Sequence, residues 1–82
     1  MRLQGIARID QKTKDLIKRL RPGDIAIIHH SDLDEVAAQS LLEARVKAVI
    51  NAEAFSTGRY PNLGPQLLAG YGIFLLDQVG TE

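Results

Sequence analysis

Three short apolar runs limit what this chain can fold into. They are Ile25-Ala26-Ile27-Ile28, Val46-Lys47-Ala48-Val49-Ile50 and Ile73-Phe74-Leu75-Leu76. All fall far short of the roughly 20 apolar residues of a membrane span. Their aliphatic, partly β-branched content suits strands. Segments with helical periodicity separate them. Strands that alternate with helices through short connections predict a parallel sheet with right-handed crossovers. The near-continuous apolar character of residues 24–29 predicts a strand buried on both faces.

The segments between the runs carry their own signals. Residues 3–9 alternate loosely and fit a short first strand or an extended arm. Asp10 can cap a helix over about 11–20, with Leu16, Ile17 and Leu20 as its apolar stripe and Pro22-Gly23 as its stop. Ser31 or Asp32 is placed to cap the next helix. With Asp32 as cap, Glu35 falls at the third helical position, as in a capping box. Leu33, Val36, Ala37, Ser40, Leu41 and Ala44 then share one face. A third helix is expected over about 62–70, with Pro65 in its first turn and Gly70 or Gly72 at its end. The fold class is therefore a small α/β domain. Its three- to four-stranded, mainly parallel sheet has β-α-β-α-β order, preceded by an N-terminal helix.

Eighty-two residues allow one domain. Residues 1–22 form a basic arm or strand plus helix, and 23–82 form the core. The chain stops just after a buried-looking strand, so it is expected to be the N-terminal fragment of a longer protein. A core of this size supplies only about 3–5 kcal/mol net, which invites a neighbouring domain or a second subunit. The absence of cysteine excludes disulfides, thiolate metal sites and cysteine catalysis, and it fits a cytoplasmic location. No signal-peptide pattern opens the chain.

The formal net charge of zero conceals an asymmetry. Residues 1–22 carry seven Lys/Arg against Asp10 and Asp15, whereas 23–82 carry three against eight acids. The basic end reads as a solvated face packed on the acidic remainder. No aromatic residue is interleaved with these charges, so no nucleic-acid partner is expected. Membrane contact by this stretch of chain is not expected either.

Ligands of open parallel sheets bind beyond the carboxyl ends of the strands. Here those ends supply His29, His30, Ser31 and Asp32, then Asn51 and Glu53, then Asp77. His29, Asp32, Asn51 and Asp77 are the rim candidates. On the same side lies the most specified loop of the chain, with Ser56, Thr57, Gly58, Arg59, Tyr60 and Asn62. An arginine beside two hydroxyls and free backbone N–H groups suits a phosphate or carboxylate. The loop is neither a Walker motif nor GxGxxG. Adjacent His29 and His30 point to opposite faces of a strand, and no third ligand has metal-site spacing, so no metal site is assigned. Asp32, Asp34 and Glu35 are explained by helix capping with fewer assumptions than by Mg²⁺ binding. No catalytic residue is assigned.

Three segments together resemble a known family. They are Gly5-Ile-Ala-Arg-Ile-Asp10 with Thr13-Lys-Asp-Leu-Ile-Lys-Arg-Leu20; Arg21-Pro-Gly-Asp-Ile-Ala-Ile-Ile28; and Gly58-Arg-Tyr-Pro-Asn-Leu-Gly-Pro65 with Gly72-Ile73 and Leu75-Leu-Asp77. The likeness is to the N-terminal region of the SteA-like proteins, thiamine pyrophosphokinase-like bacterial proteins linked in some bacteria to the cytokinetic ring. The resemblance implies an accessory N-terminal domain followed by a kinase-like domain in the same chain, with a membrane anchor near the parent's C-terminus. ATP, Mg²⁺ and thiamine are implied for the parent, and no cofactor for this stretch. A second likeness is to the swivelling phosphohistidine domain, whose layout is similar to that from Thr57-Gly58-Arg59 to Gly72-Ile73. The phosphoryl-carrying histidine of that domain falls at or next to Asn62, and an amide is no phosphoryl carrier.

Three functions follow as expectations. The first is a non-catalytic accessory or regulatory domain that binds a phosphate-containing ligand at residues 58–65. The second is a contributor to a composite, ATP-dependent pyrophosphokinase site. The third is a protein-interaction module in bacterial cell division. A homodimer is compatible with each.

Overall fold

The computed structural model describes residues 4–10, 12–30, 32–55 and 63–77. Among the described residues, seven elements alternate strictly: β1 (Ala7–Ile9), α1 (Thr13–Ile17), β2 (Ile25–Ile28), α2 (Glu35–Glu43), β3 (Ala48–Asn51), α3 (Gly64–Gly70) and β4 (Phe74–Leu76). The strands form one parallel sheet in the order β1-β2-β3-β4. Residues 7–9 are thus a true first strand, which precedes the first helix.

Strand order fixes where the helices go. Each crossover moves one place in the same direction across the sheet. Right-handed crossovers of that kind put every helix on the same face. The core agrees. It joins Leu16 of α1, Ala38 and Leu41 of α2 and Leu68 of α3 to Ala26, Ile28 and Val49 of the sheet. Leu33, Val46, Phe55 and Ile73 close it at the strand ends. The residues of alternate parity are not part of this core. Ile9, Ile27, Ile50 and Leu76 stand in register across all four strands. Ile27 and Ile50 are only half-buried, while Ile9 and Leu76 are 66% and 46% exposed. The expectation that the strand at 24–29 is buried on both faces holds for Ile25 and Ala26, which lie on opposite faces, and fails at Ile27. Among the described residues, the helical layer covers one face, and on the other Ile25 and Ala48 are buried while Ile9 and Leu76 are exposed.

Two caps differ from expectation. Asp34, not Ser31 or Asp32, caps α2, and its Oδ1 accepts the Ala37 N–H at 2.7 Å. Asp32 instead takes a left-handed conformation, φ 52°. Backbone bonds to the loop after β3 hold it in the turn before the helix. Val36 consequently lies outside the apolar face, at 78% exposure, while Ala38 and Leu41 are fully buried. At α1 the cap position is Lys12, with no side-chain bond; Asp10 accepts the Lys12 N–H at 3.2 Å outside the helix. The helix stops at Ile17, so Lys18, Arg19 and Arg21 lie beyond it.

Gly64 and Gly70, the two ends of α3, meet different surroundings. A Cβ on Gly64 would overlap the Leu33 carbonyl oxygen and come within 2.8 Å of that of Asp34. A Cβ on Gly70 would meet nothing within 4 Å. Close approach of α3 to the β2–α2 turn therefore requires glycine at 64 only. Gly70→Ala is expected to raise stability by about 0.4–1 kcal/mol, and Gly64→Ala to lower it by more than that gain. Urea denaturation of the two variants checks the opposite signs.

Candidate functional site

The carboxyl ends of β2 and β3 are tied together through one buried side chain. Asn51, the last residue of β3, is completely buried. Its Oδ1 accepts the backbone N–H of His30 at 3.1 Å and of Glu53 at 3.1 Å. Its Nδ2 donates to the His30 carbonyl at 2.8 Å. One amide side chain thus occupies three backbone groups of two loops. That satisfies polar atoms which would otherwise be costly to bury.

Further bonds fasten the same loops. Asp32 N–H donates to Ala54 O at 3.2 Å, and Leu33 N–H donates to Phe55 O at 3.0 Å. Phe55 is buried, and its N–H donates to Asp77 Oδ2 at 3.0 Å, which links the β3 loop to the end of β4. His29 Nε2 and Glu53 Oε1 lie 2.7 Å apart on the exposed side of the rim. The four rim candidates therefore play distinct parts. Asn51 is the buried tie, Asp77 holds Phe55, His29 pairs with Glu53, and Asp32 shapes the turn before α2. Ser56, Thr57, Gly58, Arg59, Tyr60 and Asn62 lie outside the described residues. Their flanks do not: Phe55 is fixed by Asp77 and Leu33, and Gly64 is fitted against Leu33 and Asp34.

Two of the carboxylates at this end of the sheet already have partners. Asp34 is engaged as a helix cap and Asp77 as the acceptor for Phe55. Among the described residues, no three His, Asp or Glu side chains stand together in a way that could hold a metal ion. Accordingly, no step of a composite pyrophosphoryl-transfer site is derived from these groups.

The opposite end of the sheet carries a cluster that sequence reading missed. Asp24, at the start of β2, is buried. Its Oδ2 accepts the Arg21 backbone N–H at 2.9 Å and pairs with Arg8 Nε of β1 at 2.7 Å. The Arg21 N–H is the main cause that holds its carboxyl below the ordinary aspartate value, and Arg8 adds to it against the opposing effect of burial. The signal was present as an Asp just before an apolar run, with an arginine in the neighbouring strand. The charge asymmetry of the N-terminal region is thus partly internal. Arg19 likewise reaches Ile9 O at 2.6 Å and Asp10 at 3.6 Å. Lys12, Lys14 and Lys18 instead flank a groove of about 620 Å³ between α1 and α2, floored by Ile17, Val36 and Ala37.

Among the described residues, no helix is long and apolar enough to cross a membrane. No family model, curated protein or solved structure matches the chain.

Two outcomes follow. Asn51→Ala leaves three backbone groups without their partner and is expected to cost about 2–4 kcal/mol in denaturant unfolding. Asp24 has a lowered folded-state pKa, so its contribution is complete above the ordinary aspartate value and is lost as pH falls through the lowered one. Asp24→Asn should therefore be less stable than wild type at neutral pH, and the gap should narrow with acidification. Melting temperatures of both proteins across an acid titration test this.

Proposed function

We propose that the chain is a non-catalytic accessory module of a thiamine pyrophosphokinase-like protein, of the kind its 58–65 segment resembles. In this reading it takes a phosphate-containing ligand on Ser56–Asn62, at the carboxyl rim of the sheet. The observation that supports it most is the fixing of both flanks of that segment. Asp77 and Leu33 hold Phe55, and the β2–α2 turn receives Gly64 without room for a side chain. Segments that carry function on a rigid scaffold are held in this way at their ends. Arg59 supplies the charge, with a planar donor geometry that matches phosphate oxygens. Ser56 and Thr57 supply hydroxyl donors beside it.

Asp34 is engaged as a helix cap and Asp77 in a loop bond, which favours a binding role over a share in phosphoryl transfer. A specific observation favours a second reading, the protein-interaction module: the apolar sheet face without a helical cover.

Thermal-shift measurements on wild type and Arg59→Ala test the first reading, with phosphate, ATP, thiamine and thiamine diphosphate, each with and without Mg²⁺. A ligand at about 100 times its Kd stabilises the fold by about 2.7 kcal/mol, which is a rise of about 10–20 °C for a chain this small. The expected result is a rise with phosphate-bearing ligands that is lost in Arg59→Ala. No rise with any of them, in a folded protein, contradicts the reading.

A further inference from the structure

We infer that the groove between α1 and α2 is a docking site for an acidic, amphipathic helical segment of a partner protein. The carboxylates of that segment meet Lys12, Lys14 and Lys18, and its apolar side meets Ile17, Val36 and Ala37. The inference stands apart from the anion reading, because the groove shares no residue with the segment at 56–62.

The cations of the N-terminal region divide into two groups. Arg8 is paired with Asp24, and Arg19 reaches Ile9 O and Asp10. Lys12, Lys14 and Lys18 are exposed, and their ammonium groups make no ion pair or hydrogen bond among the described residues. Lys14 and Lys18 are four residues apart, so they share one side of α1. Across from them stands Val36 of α2, which the cap at Asp34 leaves 78% exposed. Ile17 and Ala37, both half-buried, continue the apolar floor. The one carboxylate that lines this groove, Asp34, accepts the Ala37 N–H as the cap of α2.

Three observations select an acidic peptide segment as the occupant. The first is the sign of the charge. Three lysines face one carboxylate that is already engaged, so the groove complements an acidic partner. The groove on the other side of α2 has the opposite character, with Glu35 and Glu43 beside Leu67. An acidic segment is therefore directed to the α1 side. The second is spacing. At about 1.5 Å per residue, the row from Lys12 to Lys18 runs about 9 Å. A single phosphate or carboxylate cannot meet all three cations, whereas carboxylates one helical turn apart, about 5.4 Å, can follow the row. Among the described residues, no buried side-chain polar atom lacks a partner, so no buried donor is held in reserve for a small anion. The third is the floor. Single-stranded nucleic acid stacks its bases on aromatic side chains, and no aromatic residue lines this groove. A lipid surface is met by clusters of about four to eight cations, and Ile17 and Ala37 are recessed between two helices rather than presented to a plane. An amphipathic helix laid in a groove uses both the cations and the apolar floor.

Selection of phage-displayed random peptides on the wild-type protein tests the inference, with peptides of about 14 residues, or about 21 Å of helix. Enriched sequences should carry Asp or Glu along one side and Leu, Ile or Phe at helical spacing on the other. The best of them, made as a labelled peptide, should bind wild type in fluorescence anisotropy and weaken as salt rises. Lys14→Glu combined with Lys18→Glu should weaken it about tenfold or more. Both side chains are already exposed, so circular dichroism should show the fold retained. Val36→Ser, which changes no charge, should weaken it as well, and Glu43→Gln, on the other side of α2, should not. The same peptide with Lys in place of its acids should prefer the charge-reversed variant to wild type. If that variant fails to fold, amide chemical shifts of wild type titrated with the acidic peptide give the answer: the changes should centre on residues 12–18 and 34–40. Selection that enriches no peptide, or peptides without an excess of acids, overturns the inference. So does binding that the folded double variant or Val36→Ser leaves unchanged, or shift changes centred on another surface.

Discussion

The order of the strands governs most of what this molecule presents. Sequential order β1-β2-β3-β4, with every neighbour parallel, lets each crossover pass over the same face. The helices then pack on one another and on that face. Leu16, Leu41 and Leu68, one from each helix, are fully buried above Ala26, Ile28 and Val49. A doubly wound sheet would reverse direction once and clothe both faces. Here there is no reversal, and the opposite apolar rows are left to other means of cover. The same interaction pattern explains why strands that look fully buried in sequence carry half-buried isoleucines.

The two ends of the sheet are locked by different chemistry. At the amino end, the carboxylate of Asp24 gathers Arg8 from the neighbouring strand and the backbone of the preceding turn. At the carboxyl end, the neutral amide of Asn51 does comparable work through three backbone bonds. An amide is suited to that place because it is both donor and acceptor, and it brings no charge into a fully buried position. Its bonds bring the β2 and β3 loops together. The Phe55–Asp77 bond extends the link to β4. Phe55 and Gly64, which flank the segment that sequence reading marks for anion binding, are both held at this rim.

Much of the fold was legible in the sequence. The runs at 25–28, 46–50 and 73–76 gave three of the four strands, because apolar length and β-branching are local properties. The fourth, Ala7–Ile9, is three residues with an arginine in the middle, and its partner Ile25 cannot be read from its own neighbourhood. The number of covered faces was not legible, since it depends on strand order, a non-local quantity. The cap of α2 was misplaced by two residues because Asp32 and Asp34 have the same capping chemistry. Tertiary bonds from Asp32 and Leu33 to the β3 loop decide between them. Among the rim candidates, sequence position located His29, Asp32, Asn51 and Asp77 correctly at strand ends. It treated Asn51 as a potential ligand group, whereas burial makes it the structural tie.

The central claim is that one face of the sheet carries the helices and the other is open. Solvent paramagnetic relaxation of isoleucine methyls, in the protein at high dilution, tests it most directly. Ile27, Ile28 and Ile50 are compared within one molecule, where Ile28 is 1% exposed and the other two are half-buried on the opposite face. The account predicts strong relaxation of the Ile27 and Ile50 methyls by a soluble probe and protection of Ile28. Equal protection of all three would contradict it, because the second face would then be covered within a single copy.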